Sequence, residues 1–325
     1  MDSKLRRLIL NATGATDLSL AECIQRLWSG YGSLDRYRLT GAPMANVVVK
    51  HVQFPVGATH PRGWNTSTAA ERKRRSYQVE TNWYQTWASR CDDTCRVPKC
   101  LAVEHWDDEV VMVMEDLHGA GFPHVGNRAD DDTALQVICW LANFHAEFLG
   151  EIPRGLWSTG TYWHLETRPD ELQAMPEGPL KQSAPHIDRL LREAPFQTLV
   201  HGDAKLANFC LSDTPTRVAA VDFQYVGGGC GIKDVAYFVS SLFDEDDCER
   251  YEQRLLDHYF DALGDALKRR GSSIRGDTVE SAWRPLYRLA WTDFYRFLQG
   301  WSPGHWKIHR YSKHVAEQVV RSLAL

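Results

Sequence analysis

The sequence predicts an α+β protein built as two lobes: a small β-sheet lobe with one long helix over residues 1–116, and a larger, mostly helical lobe over residues 117–325. Three observations carry that prediction. The 325 residues are about twice the usual size of one domain, which leaves room for two cores. Between residues 36 and 117, short runs rich in β-branched residues flank a single helical stretch. From residue 132 onward, apolar residues recur mostly at three- and four-residue spacing, the period of a helix packed on one side.

Residues 17–30, DLSLAECIQRLWSG, read as an opening helix, with Asp17 or Ser19 as its cap and Gly30 at its close. RYRLTG (36–41) and ANVVVKHVQF (45–54) are the strands of a hairpin, separated by Gly41, Ala42 and Pro43. The Gly-, Pro- and Thr-rich stretch 54–68 is a loop, after which 69–90 carries an uninterrupted helical pattern. Strands at 97–106 and 109–117 complete a small sheet crossed by that helix. Residues 118–132 are loop-like. The apolar helix at 132–150 suits only the centre of a larger lobe, which sets the boundary near residue 116. Residues 151–195 mix Pro and Gly with short helical pieces and carry no fold signal of their own. TLVHGDAKLANFCL (198–211) and VAAVDFQYV (218–226) then give strand, loop, strand, a compact frame for polar side chains. Helices at 234–243, 248–267 and 283–301 fill the remainder.

Hydrophobic residues make up 43% of the chain and charged ones 24%, the balance of a water-soluble enzyme, and no apolar run is long enough for a membrane span. The net charge is −5, and the cations are dispersed apart from Arg72–Arg75, which reads as a solvated helix face; no nucleic-acid footprint is visible. The N-terminal residues lack a signal-peptide core, so the expected location is the cytoplasm, with reduced thiols. Cys91, Cys95 and Cys100 lack the paired CxxC spacing of a structural zinc site.

The chemistry concentrates in HGDAKLANF and AVDFQ. Phosphoryl transfer asks a protein for metal ligands, a cation on the phosphates and a carboxylate near the attacking hydroxyl. Asp203 supplies a carboxylate in a loop entered from an apolar strand, and Asn208, five positions on, supplies a neutral oxygen ligand. Asp222 stands at the end of the next strand, where a carboxylate can bridge metal to phosphate oxygens. Asp203 and Asn208 could instead be turn formers, since both residue types favour loops; their combination with Asp222 is what points to catalysis. His201 reads as a residue that orients the loop, Asp234 as a helix cap or support for it, and His145 as a core histidine. The glycines at 227–229 and 231 fail the dinucleotide fingerprint because the third glycine falls on Ile232. They read as a tight turn beside the metal.

HxDxxxxN followed by a strand ending in Asp resembles the kinase-like aminoglycoside phosphotransferase and choline kinase superfamily. VVVK resembles its β3 lysine segment and SYQVE the helix that supplies the partner glutamate. VMVMEDL is similar to its hinge strand. Together SYQVETNWY, MEDL, LANFHAEF, HGDAKLANF and KDVAYF look most like the ecdysteroid-kinase-like (CHK kinase-like) branch, over roughly residues 40 to 245. The resemblance implies a bilobal protein-kinase-like fold and transfer of the γ-phosphate of ATP to a small-molecule hydroxyl. It implies Lys50 on the α- and β-phosphates with Glu80 as its partner, and adenine bound by backbone groups of Glu115, Asp116 and Leu117. Asn208 and Asp222 would then hold Mg2+, with Asp203 as base. Two departures stand out: no GxGxxG precedes Lys50, and DFG is here Asp222-Phe223-Gln224, without the glycine of activation-loop flipping.

The acceptor is expected against the C-terminal helices, where Trp283, Tyr287 and Trp291 recur at helical spacing with Phe294, Tyr295 and Asp293, and beside Gln224. Such a face suits a cationic or ring-bearing alcohol; such stripes are also ordinary core. The acidic run 244–247 reads as a solvated helix start. A catalytically silent nucleotide-binding module and a metal-dependent phosphohydrolase using His201, Asp203 and Asp222 are the competing readings.

Overall fold

The computed structural model describes residues 2–27, 30–54, 67–126, 130–213, 217–242 and 245–323. Most of the loop expected over 54–68, and Asp244 of the acidic run, lie outside the described residues.

The chain opens on a helix that the sequence reading missed, α1 (Ser3–Thr13). Asp2 caps it by accepting from the Lys4 N–H at 3.1 Å, and Gly14 closes it in the left-handed conformation (φ 69°). Its Leu5 and Ile9 are buried against the sheet. The helix expected at 17–30 is instead strand β1 (Asp17–Arg26), paired antiparallel with β2 (Gly32–Thr40). Register shifts at Leu20/Glu22 and Cys23/Gln25 break the two-residue alternation, and what remains imitates helical spacing. The imitation has no core to serve: Leu20 and Ile24 stay exposed, and only Leu18 joins the cluster under the sheet.

The sheet continues with β3 (Asn46–Gln53), β4 (Cys100–Trp106) and β5 (Glu109–Glu115), all antiparallel, in the order β1-β2-β3-β5-β4. Its faces separate by alternation: Val47, Val49, Val111 and Val113 meet α1, while Met112 and Met114 face the main core. That core is reached by α2 (Ser67–Asn82) through Val79. The helical path then continues through a wider turn at Trp83–Trp87 and a tight one at Ala88–Arg90.

The larger part is mostly helical. Helix α3 (Asp131–Glu147), capped by Asp130, is buried along most of its length, as its apolar run requires. Two short sheets sit beside it, β6 (His124–Val125) with β8 (Phe209–Leu211) and β9 (Val218–Ala220), and β7 (Thr198–Val200) with β10 (Gly227–Gly229). Around these lie α4 (Pro169–Ala174), α5 (Pro179–Arg192), α6 (Ile232–Leu242), α7 (Glu245–Arg269), α8 (Gly276–Trp283), α9 (Tyr287–Trp301) and α10 (Arg310–Leu323). The fold is thus mixed α+β, an N-terminal antiparallel sheet followed by a larger helical part. Among the described residues, no helix is long and apolar enough to cross a membrane.

The glycines of 227–229 correct an expectation: they form strand β10, buried against β7 at Gly227–Val200, rather than a turn. A Cβ at Gly227 would run into the Trp157 carbonyl oxygen, so the close approach of the 157–160 backbone requires glycine there.

Candidate functional site

Strand β7 delivers the chain into the turn His201–Asn208, and β9 delivers it to Asp222. The two turns are tied through backbone and imidazole. The Val221 N–H donates to the Asn208 carbonyl at 2.9 Å. His201 accepts from the Asp203 N–H on Nδ1 at 3.2 Å and donates from Nε2 to the Val221 carbonyl at 3.0 Å. Beneath them Asp234, at the start of α6, accepts from the N–H groups of His201 (2.5 Å) and Gly202 (3.0 Å), while His145 Nε2 lies 3.3 Å from the same carboxylate. His145 is fully buried, its Nδ1 2.8 Å from the Tyr259 hydroxyl. Gly202 has φ 81°, and a Cβ there would collide with the Tyr225 carbonyl oxygen.

Within this frame the Asp203 carboxylate accepts from the Tyr237 hydroxyl (3.1 Å), Lys205 Nζ (2.9 Å) and Asn208 Nδ2 (3.0 Å). Asn208 Nδ2 also donates to the Asp203 carbonyl at 2.8 Å. Lys50, on β3, is almost fully buried; its Nζ lies 2.7 Å from both Glu80 oxygens and 3.5 Å from Asp222 Oδ1. Burial alone would lower the Lys50 pKa, but Glu80 and Asp222 outweigh it and hold the ammonium charged. Burial likewise pushes Asp222 up; Lys50, Lys205, Lys73 and His201 overcome that push and bring it down to about 2.

Asp222 has φ 68°, the left-handed region that few residues other than glycine adopt. Gln224 Nε2 donates to its Oδ1 at 2.7 Å and accepts on Oε1 from Lys73 Nζ (2.8 Å) and Ser76 Oγ (3.2 Å). Gln224, expected at the acceptor, is therefore committed to bracing Asp222. Burial lowers Lys73 to about 8. The run 72–75 is not a solvated face: Arg72 donates to the Thr167 carbonyl (2.8 Å) and Arg75 to that of Leu156 (3.1 Å), so three of its cations reach across to the helical part.

At the end of β5, the Glu115 carboxylate accepts from Arg96 Nη2 (2.6 and 2.5 Å) and the Lys99 N–H (3.0 Å), and the Glu115 N–H donates to the Lys99 carbonyl (2.9 Å). Asp116 pairs with Arg36 Nε at 2.9 Å, and Leu117 is buried with Phe122, Cys210 and Ala219. The side chains of 115–117 thus fasten the segment. Among the described residues the Leu117 N–H has no backbone acceptor.

The expected acceptor stripe is core. Trp283, Tyr287 and Trp291 are 0%, 2% and 2% exposed; Trp283 Nε1 donates to the Pro195 carbonyl (2.9 Å), and Trp291, edge-on to Tyr311, donates to Ser312 Oγ (3.2 Å). Asp293 is equally committed, to Arg296 (2.8 Å), Lys233 (3.5 Å) and Trp163 Nε1 (3.0 Å). The rings that reach Asp203 are Tyr237, on α6, and those packed on it: Tyr162, Trp163 and Phe294. Tyr237 was visible inside KDVAYF, and Lys205 inside HGDAKLAN. Lys73 and Lys307 carried no local signal.

Among the described residues, Asn208 Oδ1 and Asp222 Oδ2 accept no hydrogen bond, which leaves two hard oxygen donors for a divalent cation. An ionised Asp222, an amide oxygen and the ammonium groups of Lys50, Lys73 and Lys205 acting on that carboxylate are groups that could bind a polyphosphate. The chain belongs to the APH family, a phosphotransferase enzyme family whose sequence pattern matches residues 24–271. No curated protein matches the sequence. Among solved structures, the amicoumacin kinase hAmiN in complex with AMP-PNP, Ca2+ and Ami is 11% identical with a TM-score of 0.48, covering 99% of this chain and 93% of that one. The microcompartment-associated aminopropanol kinase is 15% identical (TM-score 0.48; 99% and 94% covered), and the choline kinase LicA from Streptococcus pneumoniae is 13% identical (TM-score 0.41; 99% and 98%). Membership of the family rests on the matched sequence.

Proposed function

We propose that the chain is a cytoplasmic, ATP-dependent kinase of small-molecule alcohols in the ecdysteroid-kinase-like branch of its family, with a nucleotide-binding lobe at 1–116 and a catalytic lobe at 117–325. The observation that carries the reading is the convergence of Lys50, held by Glu80, on the Asp222 carboxylate, beside the Asp203–Asn208 pair. Asn208 Oδ1 and Asp222 are the residues to hold Mg2+, which supplies neutralisation of the phosphate charge. Lys50 meets the α- and β-phosphates. The Leu117 N–H, with the backbone of Glu115 and Asp116, is available to adenine. Asp203 orients the acceptor hydroxyl and takes its proton as that oxygen bonds to the γ-phosphorus and ADP departs with the electron pair of the broken bond. Lys205 Nζ, 2.9 Å from Oδ2, pairs with the Asp203 carboxylate. The phosphohydrolase reading is disfavoured because both His201 nitrogens are engaged by backbone groups and neither is left free to ligate a metal.

Two measurements test the proposal. ATP is expected to raise the melting temperature only with Mg2+, with about 2.7 kcal/mol of protection at a hundredfold excess over Kd. ADP formation stimulated by an alcohol is expected to fall by a factor on the order of 10²–10⁴ in Asp203→Ala, with nucleotide protection retained. Protection without any acceptor-stimulated ADP would mark a silent module, and no protection at all would sink the nucleotide reading.

A further inference from the structure

The ring surface that reaches Asp203 is already capped by a cation of the chain's own. Lys307 lies in the connection between α9 and α10 and is 7% exposed. Its Nζ sits 4.6 Å from the ring centre of Tyr237, 5.1 Å from that of Phe294 and 5.6 Å from that of Trp306. Tyr237 is the residue whose hydroxyl donates to Asp203. Among the described residues Nζ has neither a carboxylate partner nor a hydrogen-bond acceptor; only the backbone N–H of Lys307 is engaged, with His305 Nδ1 at 3.2 Å. Ring faces recover only part of the hydration a buried ammonium gives up. Burial accordingly lowers Lys307 to about 7, against the pull of Asp203 and with the push of Lys205.

Rings gathered around an ammonium are how proteins recognise cationic ligands. Here the cage is filled, and a substrate cation would meet Lys307 and Lys205 with no free counter-ion among the described residues. The carboxylate that acts on Lys307, Asp203, is paired with Lys205; farther along, Asp293 is held by Arg296 and Lys233 and Asp222 by Lys50. What the site lacks is an anion over Lys307.

We infer that Lys307 determines acceptor specificity and that the acceptor is an alcohol bearing an acidic group, whose anion pairs with Lys307 while its hydroxyl lies at Asp203. This rests on the phosphotransferase reading above and narrows it to hydroxy acids. Lys307 Nζ stands over the Tyr237 ring and Asp203 on the hydroxyl of the same residue, so the acceptor's two groups are set apart rather than on one carbon.

Matched acceptors that differ in one group test the inference on the full-length protein. One set is gluconate, sorbitol and glucamine; the other is 4-(hydroxymethyl)benzoate, 1,4-benzenedimethanol and 4-(aminomethyl)benzyl alcohol. Acceptor-stimulated ADP formation is expected to favour the acid over the amine in at least one set. Lys307→Met is expected to reduce the acid-to-neutral ratio of kcat/KM about ten- to hundredfold, mainly through KM, and Lys307→Arg to keep the acid preference, which separates lost charge from lost folding. Preference for the amine, no stimulation by either acid, or an unchanged ratio in Lys307→Met would overturn it. Mg2+-dependent ATP protection in the same samples shows whether only this inference has failed or the phosphotransferase reading with it.

Discussion

Asp222 shows how much a single side chain at this site depends on its neighbours. Its left-handed backbone costs roughly 1–2 kcal/mol, and Gln224, Lys50 and the flanking ammonium groups hold it there. Because its folded pKa, about 2, lies below its unfolded value, its contribution to stability is present above pH 4 and is lost as the pH falls toward 2. Asp222→Asn is therefore expected to melt below the native protein at pH 7, with the gap closing toward pH 3, as thermal scans across that range would record. Residue types and spacing made Asp203, Asn208 and Asp222 legible as a group in two turns after short strands, while Lys50 on β3 and Glu80 on α2 were legible only through the family resemblance of VVVK and SYQVE. Lys73 and Lys307 were not legible: one is hidden in a basic run, and the other acquires meaning only from rings that come from α6 and α9.

Helices α3, α7 and α9 and strands β2 to β5 were legible because burial leaves each a periodic or unbroken apolar pattern. β1 was misread because two bulges scrambled its alternation and most of its side chains stay in water. Helix α9 was legible as a helix but not in its facing: from Ala290 to Leu298 every residue is buried, Asp293 and Arg296 included, so the aromatic spacing indicates no direction. Trp283, Tyr287 and Trp291 therefore gave no means of telling a substrate face from core. The same enclosure makes α9 intolerant of added volume. A Cβ at Gly300 would strike the Glu171 carbonyl of α4, so Gly300→Ala is expected to cost roughly 2–3 kcal/mol and lower the melting temperature by several degrees.

Across the whole molecule, the sheet-bearing and helical parts meet through charged residues around the cleft. Lys50 links β3 to Asp222, and α2 reaches over through Arg72, Lys73 and Arg75. Removing Arg72 and Arg75 together (Arg72→Ala with Arg75→Ala) is expected to speed hydrogen exchange in α2, while the amides of β3 and β5 keep their protection. Slow exchange throughout α2 in that variant would show that packing, not these two side chains, docks the helix. The order of sheet, crossing helix and helical part was legible from composition and periodicity; the docking was not, since a basic run reads the same whether it faces water or carbonyl groups.

Behind Asp203 the backbone is packed so closely at Gly202 and Gly227 that neither position has room for a methyl group. That wall is closed to evolutionary tinkering: no substitution there can add a contact to the acceptor without displacing the main chain. Under the proposed function, novel preferences would find room in the stretch 302–309, where every residue except Lys307 is exposed or half-buried.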